Sequence, residues 1–74
     1  MKQAYTDTST NVLYLRADGQ LFVQLSRQRR AAIKNIRVGM YCVFKQPHSY
    51  VEGIVCEITG TGVVLERWEV KSCP

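Results

Sequence analysis

Residues 11–25 read NVLYLRADGQLFVQL, and the pairing of this stretch with itself decides the architecture. Apolar and polar residues alternate on both sides of Asp18-Gly19, the mark of a hairpin. Parity then selects the loop length. A two-residue loop, Asp18-Gly19, pairs Arg16 with Leu21 and Tyr14 with Val23, which mixes polar and apolar side chains on one face. A three-residue loop, Ala17-Asp18-Gly19, pairs Leu15 with Leu21 and Leu13 with Val23. It also sets Gly19 where a type I turn with a bulge needs a left-handed residue. Leu13, Leu15, Leu21, Val23 and Leu25 then share one apolar face. The opposite face carries Tyr14 across from Phe22, flanked by Arg16 and Gln24. A slip of one residue would turn the core set into water, so the three-residue loop is expected.

Downstream, IRVGMYCVFKQ (residues 36–46) reads as a strand with Gly39 near its start, and Gln46-Pro47-His48-Ser49 reads as a turn. Tyr50–Ile58 is a further strand, closed by Thr59-Gly60-Thr61-Gly62 onto Val63–Val70. Pairing Ile58 with Val63 gathers Ile54, Cys56, Ile58, Val63 and Leu65 on one face. The same register sets Trp68 over Gly53, where a large ring covers a strand glycine. Residues 1–10 are a polar segment or an edge strand through Ala4–Thr8. Residues 11–70 form one small β-barrel domain, and residues 71–74 are expected as a tail outside the sheet.

Between the hairpin and the later strands lies SRQRRAAIKNIR, residues 26–37. Ser26 is placed to cap a short helix from Arg27 to about Asn35, with Arg27, Arg30 and Lys34 on one α-helical face. Arginines in a first turn meet the positive end of the helix dipole, so a single turn or an ordered loop competes with the helix. The fold class is mainly β: a five-stranded curled sheet or small barrel with one short helix or helical turn between strands 2 and 3. The order strand, basic segment, strand, with I-x-V-G-x-x-x-V over Ile36–Val43, resembles small oligonucleotide-binding and SH3-like barrels. It is most similar to the region before the fourth strand of bacterial translation initiation factors of the oligonucleotide-binding class. Two strands before the helix depart from that pattern unless residues 3–9 supply a third. The resemblance carries over no residue roles.

The chain has 74 residues, 46% apolar and 22% charged, enough for one domain with a small core. No run approaches the apolar length of a membrane span, and the N-terminal stretch lacks the pattern of a secretory signal, so a cytoplasmic protein with no membrane partner is expected. Three cysteines, Cys42, Cys56 and Cys73, show no close pairing. Cys42 and Cys56 read as small buried hydrophobes.

The formal charge is +4, unevenly spread. Residues 16–45 hold seven cations against Asp18, whereas residues 46–74 hold Glu52, Glu57, Glu66 and Glu69 against Arg67 and Lys71. Five of the ten cationic residues lie in the connector: Arg27, Arg29, Arg30, Lys34 and Arg37. Guanidinium forks match phosphates, and clustered cations gain by releasing counterions, so nucleic acid is the expected partner. A solvated face or an acidic protein surface is the plainer alternative. Tyr14 and Phe22 beside Arg16 offer a stacking platform for unpaired bases, unless that face is covered by another part of the fold. Trp68 reads as structural.

Nothing in the sequence makes a metal or catalytic constellation. Cys42, His48, Cys56 and Cys73 are ligand types without metal-site spacing. Glu52 and Glu69 face one another across adjacent strands, with Arg67 and Lys71 near enough to neutralise them. Gly60-x-Gly62 precedes no helix and is a hairpin turn. The expected function is therefore non-enzymatic binding of RNA or single-stranded DNA, mainly through phosphate, with limited sequence specificity and no cofactor. The candidate residues are Arg16, Arg27, Arg29, Arg30, Lys34, Arg37, Tyr14 and Phe22. The alternative is an inhibitor or adaptor module that docks its basic face or an edge strand on a larger protein, and a homodimer is a related expectation.

Overall fold

The computed structural model describes residues 4–7 and 12–72. Among them the chain forms one sheet built from β1 (Ala4–Asp7), β2 (Val12–Leu15), β3 (Leu21–Gln24), β4 (Tyr41–Lys45), β5 (Ser49–Ile58) and β6 (Gly62–Ser72). The spatial order is β1-β4-β5-β6-β3-β2. Five strands are mutually antiparallel, and β1 adds to the β4 edge in parallel. The two outermost strands, β1 and β2, are thus consecutive in the chain. Laid flat, six strands span about 24 Å at the usual strand spacing. The chain from Asp7 to Val12 reaches at most about 18 Å. The sheet must therefore curl, and the principal extents of 31 × 29 × 28 Å fit a sheet wrapped around its own core.

The first hairpin has the three-residue loop. Leu15 pairs with Leu21, Leu13 with Val23 and Tyr14 with Phe22. Gly19 has φ 86°, and its N–H donates to the Arg16 carbonyl at 3.0 Å. Leu21, Val23 and Leu25 point inward to meet Ile36, Cys42, Phe44, Val51, Val55, Val63 and Leu65. Leu13 packs against the rim of this core. Leu15 departs from expectation and is 69% exposed. It ends an outer strand whose one sheet neighbour is β3, so the sheet supplies no second wall to cover it.

The β5–β6 hairpin keeps the expected end pairing, Ile58 with Val63, and then changes register. Cys56 is an extra residue between Val55, paired with Leu65, and Glu57, paired with Val64. This bulge reverses the alternation along β5. Val51 and Val55 face the core in place of the expected Ile54 and Cys56, which are half-buried on the other side. The register is restored one turn of pleat later, where Arg67 adopts φ 51°. Because the two irregularities compensate, Trp68 still lies over Gly53. A side chain at Gly53 would meet the Trp68 Cβ at 3.0 Å. The indole N–H donates to the Gly19 carbonyl at 2.9 Å, which ties the tip of the first hairpin to β6.

β6 runs on to Ser72, paired with Ser49, so Lys71 and Ser72 belong to the sheet rather than to a tail. Conversely, the strand expected from Ile36 shrinks to Tyr41–Lys45. Gly39 at φ 94° and a Met40 N–H bond to the Arg37 carbonyl (3.1 Å) form a turn there instead. The connector is a helix over Arg27–Asn35, within the expected bounds, but of 3-10 type. Ser26 caps it with its backbone carbonyl, which accepts from the Arg29 N–H at 2.9 Å, and not with its hydroxyl.

Two substitutions test these backbone assignments. Arg67→Gly removes a side chain from left-handed backbone and is expected to raise stability by about 0.5–1 kcal/mol in denaturant unfolding. Gly62→Ala drives a methyl group into the Val23 carbonyl oxygen of β3, and unfolding is expected at clearly lower denaturant. Equal midpoints for Gly62→Ala and the parent would refute the close β3–β6 approach.

Candidate nucleic-acid interface

The connector's geometry follows from its period. A 3-10 helix has three residues per turn, so residues at i and i+3 stand in line. Ile33 packs on the core and Ile36 is fully buried just past the helix end. That inward line, extended backwards, takes in Arg30, half-buried, and Arg27, exposed. Gln28, Ala31 and Lys34 form an exposed outward line, and Arg29 is exposed on a third. Arg27, Arg30 and Lys34 therefore do not share a face as they would on an α-helix. Arg27 and Arg30 lie along the edge where the helix meets the sheet, and Lys34 stands outside.

Two arginines are held by backbone carbonyls. The Arg30 Nε–H donates to the Leu25 carbonyl at 3.4 Å. Arg37 Nη1 donates to the Lys34 carbonyl at 2.6 Å and to the Ile36 carbonyl at 3.1 Å. These carbonyls belong to the C-terminal end of the helix, where unsatisfied acceptors and the helix dipole favour a cation. Arg27, Arg30, Lys34 and Arg37 make no ion pair with a carboxylate among the described residues. The connector's surface charge is thus left uncompensated at these four positions.

Tyr14 and Phe22 lie on the outward face of the first hairpin, with ring centroids 5.9 Å apart and planes 27° from parallel. Phe22 is half-buried and Tyr14 is 50% exposed. Phe22 stands opposite Val64, which is 1% exposed although it belongs to the outward face. Arg16 reaches Glu57 at 3.4 Å and Asp18 at 3.9 Å. The two hairpins taken separately could not show this engagement: Glu57 keeps the register expected from the Ile58–Val63 pair, and it comes near Arg16 because β6 pairs with β3. Tyr14 offers an open ring surface, but the cation next to it is already shared between two carboxylates. No hydrogen bond, ion pair or ring contact among the described residues joins this aromatic pair to the connector.

A second polar group lies on the outward side of β4, β5 and β6. Glu52 accepts a hydrogen bond from the Tyr41 hydroxyl and pairs with Lys71 Nζ at 2.8 Å. Glu69 faces Glu52 in the ladder, as expected. The ammonium of Lys71, with the Tyr41 hydroxyl, holds the Glu52 carboxyl below the usual carboxylate range. Glu52 in turn raises Lys71. The hydrogen bond to Glu52 pushes the Tyr41 phenol up to about 12. This is a pinned ladder rather than an acid–base pair. Cys42 is buried, and burial raises the Cys56 thiol, which weakens it as a nucleophile. Cys73 lies outside the described residues. His48 is exposed in the Gln46–Ser49 turn, and no cluster of three metal-ligand side chains occurs among the described residues.

No protein-family model matches the chain, and neither a curated protein nor a solved structure matches it.

The Tyr41 site carries a pH prediction. Its folded pKa is raised above the ordinary phenol value of 10.0, so the neutral phenol favours the folded state. That contribution is complete below pH 10 and fades as the pH climbs towards about 12. Ultraviolet titration is expected to show one phenol ionising late, and Glu52→Gln should bring it back towards its ordinary range. A late step that persists in Glu52→Gln would assign it to another tyrosine.

Proposed function

We propose that this domain binds RNA or single-stranded DNA through the phosphate backbone, using the 3-10 connector as its cationic surface. The observation that carries the reading is the uncompensated charge of the connector. Arg27, Arg30, Lys34 and Arg37 lie within eleven consecutive residues on one short element without a carboxylate partner, whereas Arg16 and Lys71 elsewhere are paired. A rigid scaffold supports the element through Ile33 and Ile36, which limits the ordering cost when a polyanion arrives. The connector is a nine-residue helix held against the core through Ile33. This favours tracking a flexible strand over insertion into a duplex groove. Tyr14 supplies an open ring on the outward wall for an unpaired base.

A second reading rests on a separate observation. β2 is an outer strand whose side chains Val12, Tyr14 and Leu15 are all at least half exposed. Its sequence carries no charge, proline or bulge to deter pairing, so a protein partner could add a strand there.

Binding to a mixed-sequence oligonucleotide is expected to weaken with salt at a log–log slope of about −2 to −4, the value for three to five phosphate contacts. Arg27→Glu combined with Lys34→Glu touches two exposed side chains and should lower affinity by about tenfold or more, with the unfolding midpoint retained. Absence of binding at low salt would remove this reading and leave the protein-partner one.

A further inference from the structure

The connector's cations are not equivalent. The side chains of Arg27 and Lys34 make no hydrogen bond or ion pair among the described residues, and both are exposed. Arg30 and Arg37 are anchored, and each anchor uses only part of the fork. Arg30 commits Nε to the Leu25 carbonyl, while its Nη1 and Nη2 have no other partner among the described residues. Arg37 commits Nη1 to two carbonyls, while its Nε and Nη2 have none. An anchored guanidinium has already lost most of its rotamer freedom. Its remaining donors bind a tetrahedral oxyanion without that cost, and a planar fork presents two of them at once.

Resting on the phosphate-binding reading above, we infer that Arg30 and Arg37 are its affinity-determining phosphate contacts. Each holds a backbone phosphate through a fixed fork, Arg30 from within the helix and Arg37 from just past its end. Arg27 and Lys34 act as diffuse charge that raises the local concentration of the polyanion. The distinction is one of geometry at constant charge. Lysine keeps the cation and loses the fork.

The test is a charge-conserving set, Arg30→Lys, Arg37→Lys, Arg27→Lys and Lys34→Arg. Each is titrated with a fluorescent mixed-sequence single strand of about twelve nucleotides, a length suited to a small barrel. Arg30→Lys and Arg37→Lys are expected to weaken binding by about tenfold with the salt slope unchanged, because the number of neutralised phosphates is preserved. Arg27→Lys and Lys34→Arg are expected to stay within about twofold of the parent. Arg37 also closes the helix end, so its variant is compared at matched unfolding midpoint, and Arg30→Lys decides the matter if Arg37→Lys is destabilised. Equal affinities across all four variants, with a binding parent, would overturn the division of roles while sparing the phosphate reading. A parent that fails to bind the strand at low salt would overturn both.

Discussion

The structure depends on a tether. The two strands at opposite ends of the sheet, β1 and β2, are neighbours in sequence, and the short link between them cannot cross the width of a flat six-stranded sheet. Curling is therefore imposed by connectivity as well as by twist. It brings Val51, Val55, Val63 and Leu65 of the long hairpin around Leu21, Val23 and Leu25 of the short one. A chain of this length buries little surface, so wrapping one sheet around one core is an economical way to enclose it.

Wrapping a single sheet leaves ends to be closed. The connector closes one by lending Ile33 and Ile36 to the core, and the indole of Trp68 ties another seam by its bond to Gly19. Closure has consequences for charge. With one line of the helix committed inward, the cations fall on the remaining lines and on the helix–sheet edge. The glutamates of β5 and β6 stand on the sheet wall, where Glu52 and Glu57 are occupied by Lys71 and Arg16. The basic character of the connector thus persists in the folded molecule because the acids are placed elsewhere, and the proposed phosphate contacts draw on that separation.

The bulges in the long hairpin link packing to the outer surface. The extra residue at Cys56 turns Val55 inward, while Glu57 on the turn side of the bulge keeps its register with Val64 and engages Arg16, which removes one candidate cation from open display. The left-handed Arg67 restores the ladder so that Trp68 meets Gly53. One irregularity without the other would put Trp68 on the wrong face.

Local rules were sufficient for the first hairpin, its three-residue loop, the Gln46–Ser49 turn, the end pairing of β5 with β6, and the bounds of the basic helix. In each case alternation, a glycine, or a cluster of turn residues acts over a few positions, and such signals lie within the sequence itself. The sequence also determined that half of the cations sit in one connector. Only the tertiary structure decided that the helix is 3-10, that Cys56 is an extra residue in the ladder, that Leu15 is uncovered, and that Lys71 belongs to the sheet. Those outcomes depend on how far each strand must reach to close a curled sheet. That distance is set by all six strands together, and no window of neighbouring residues contains it.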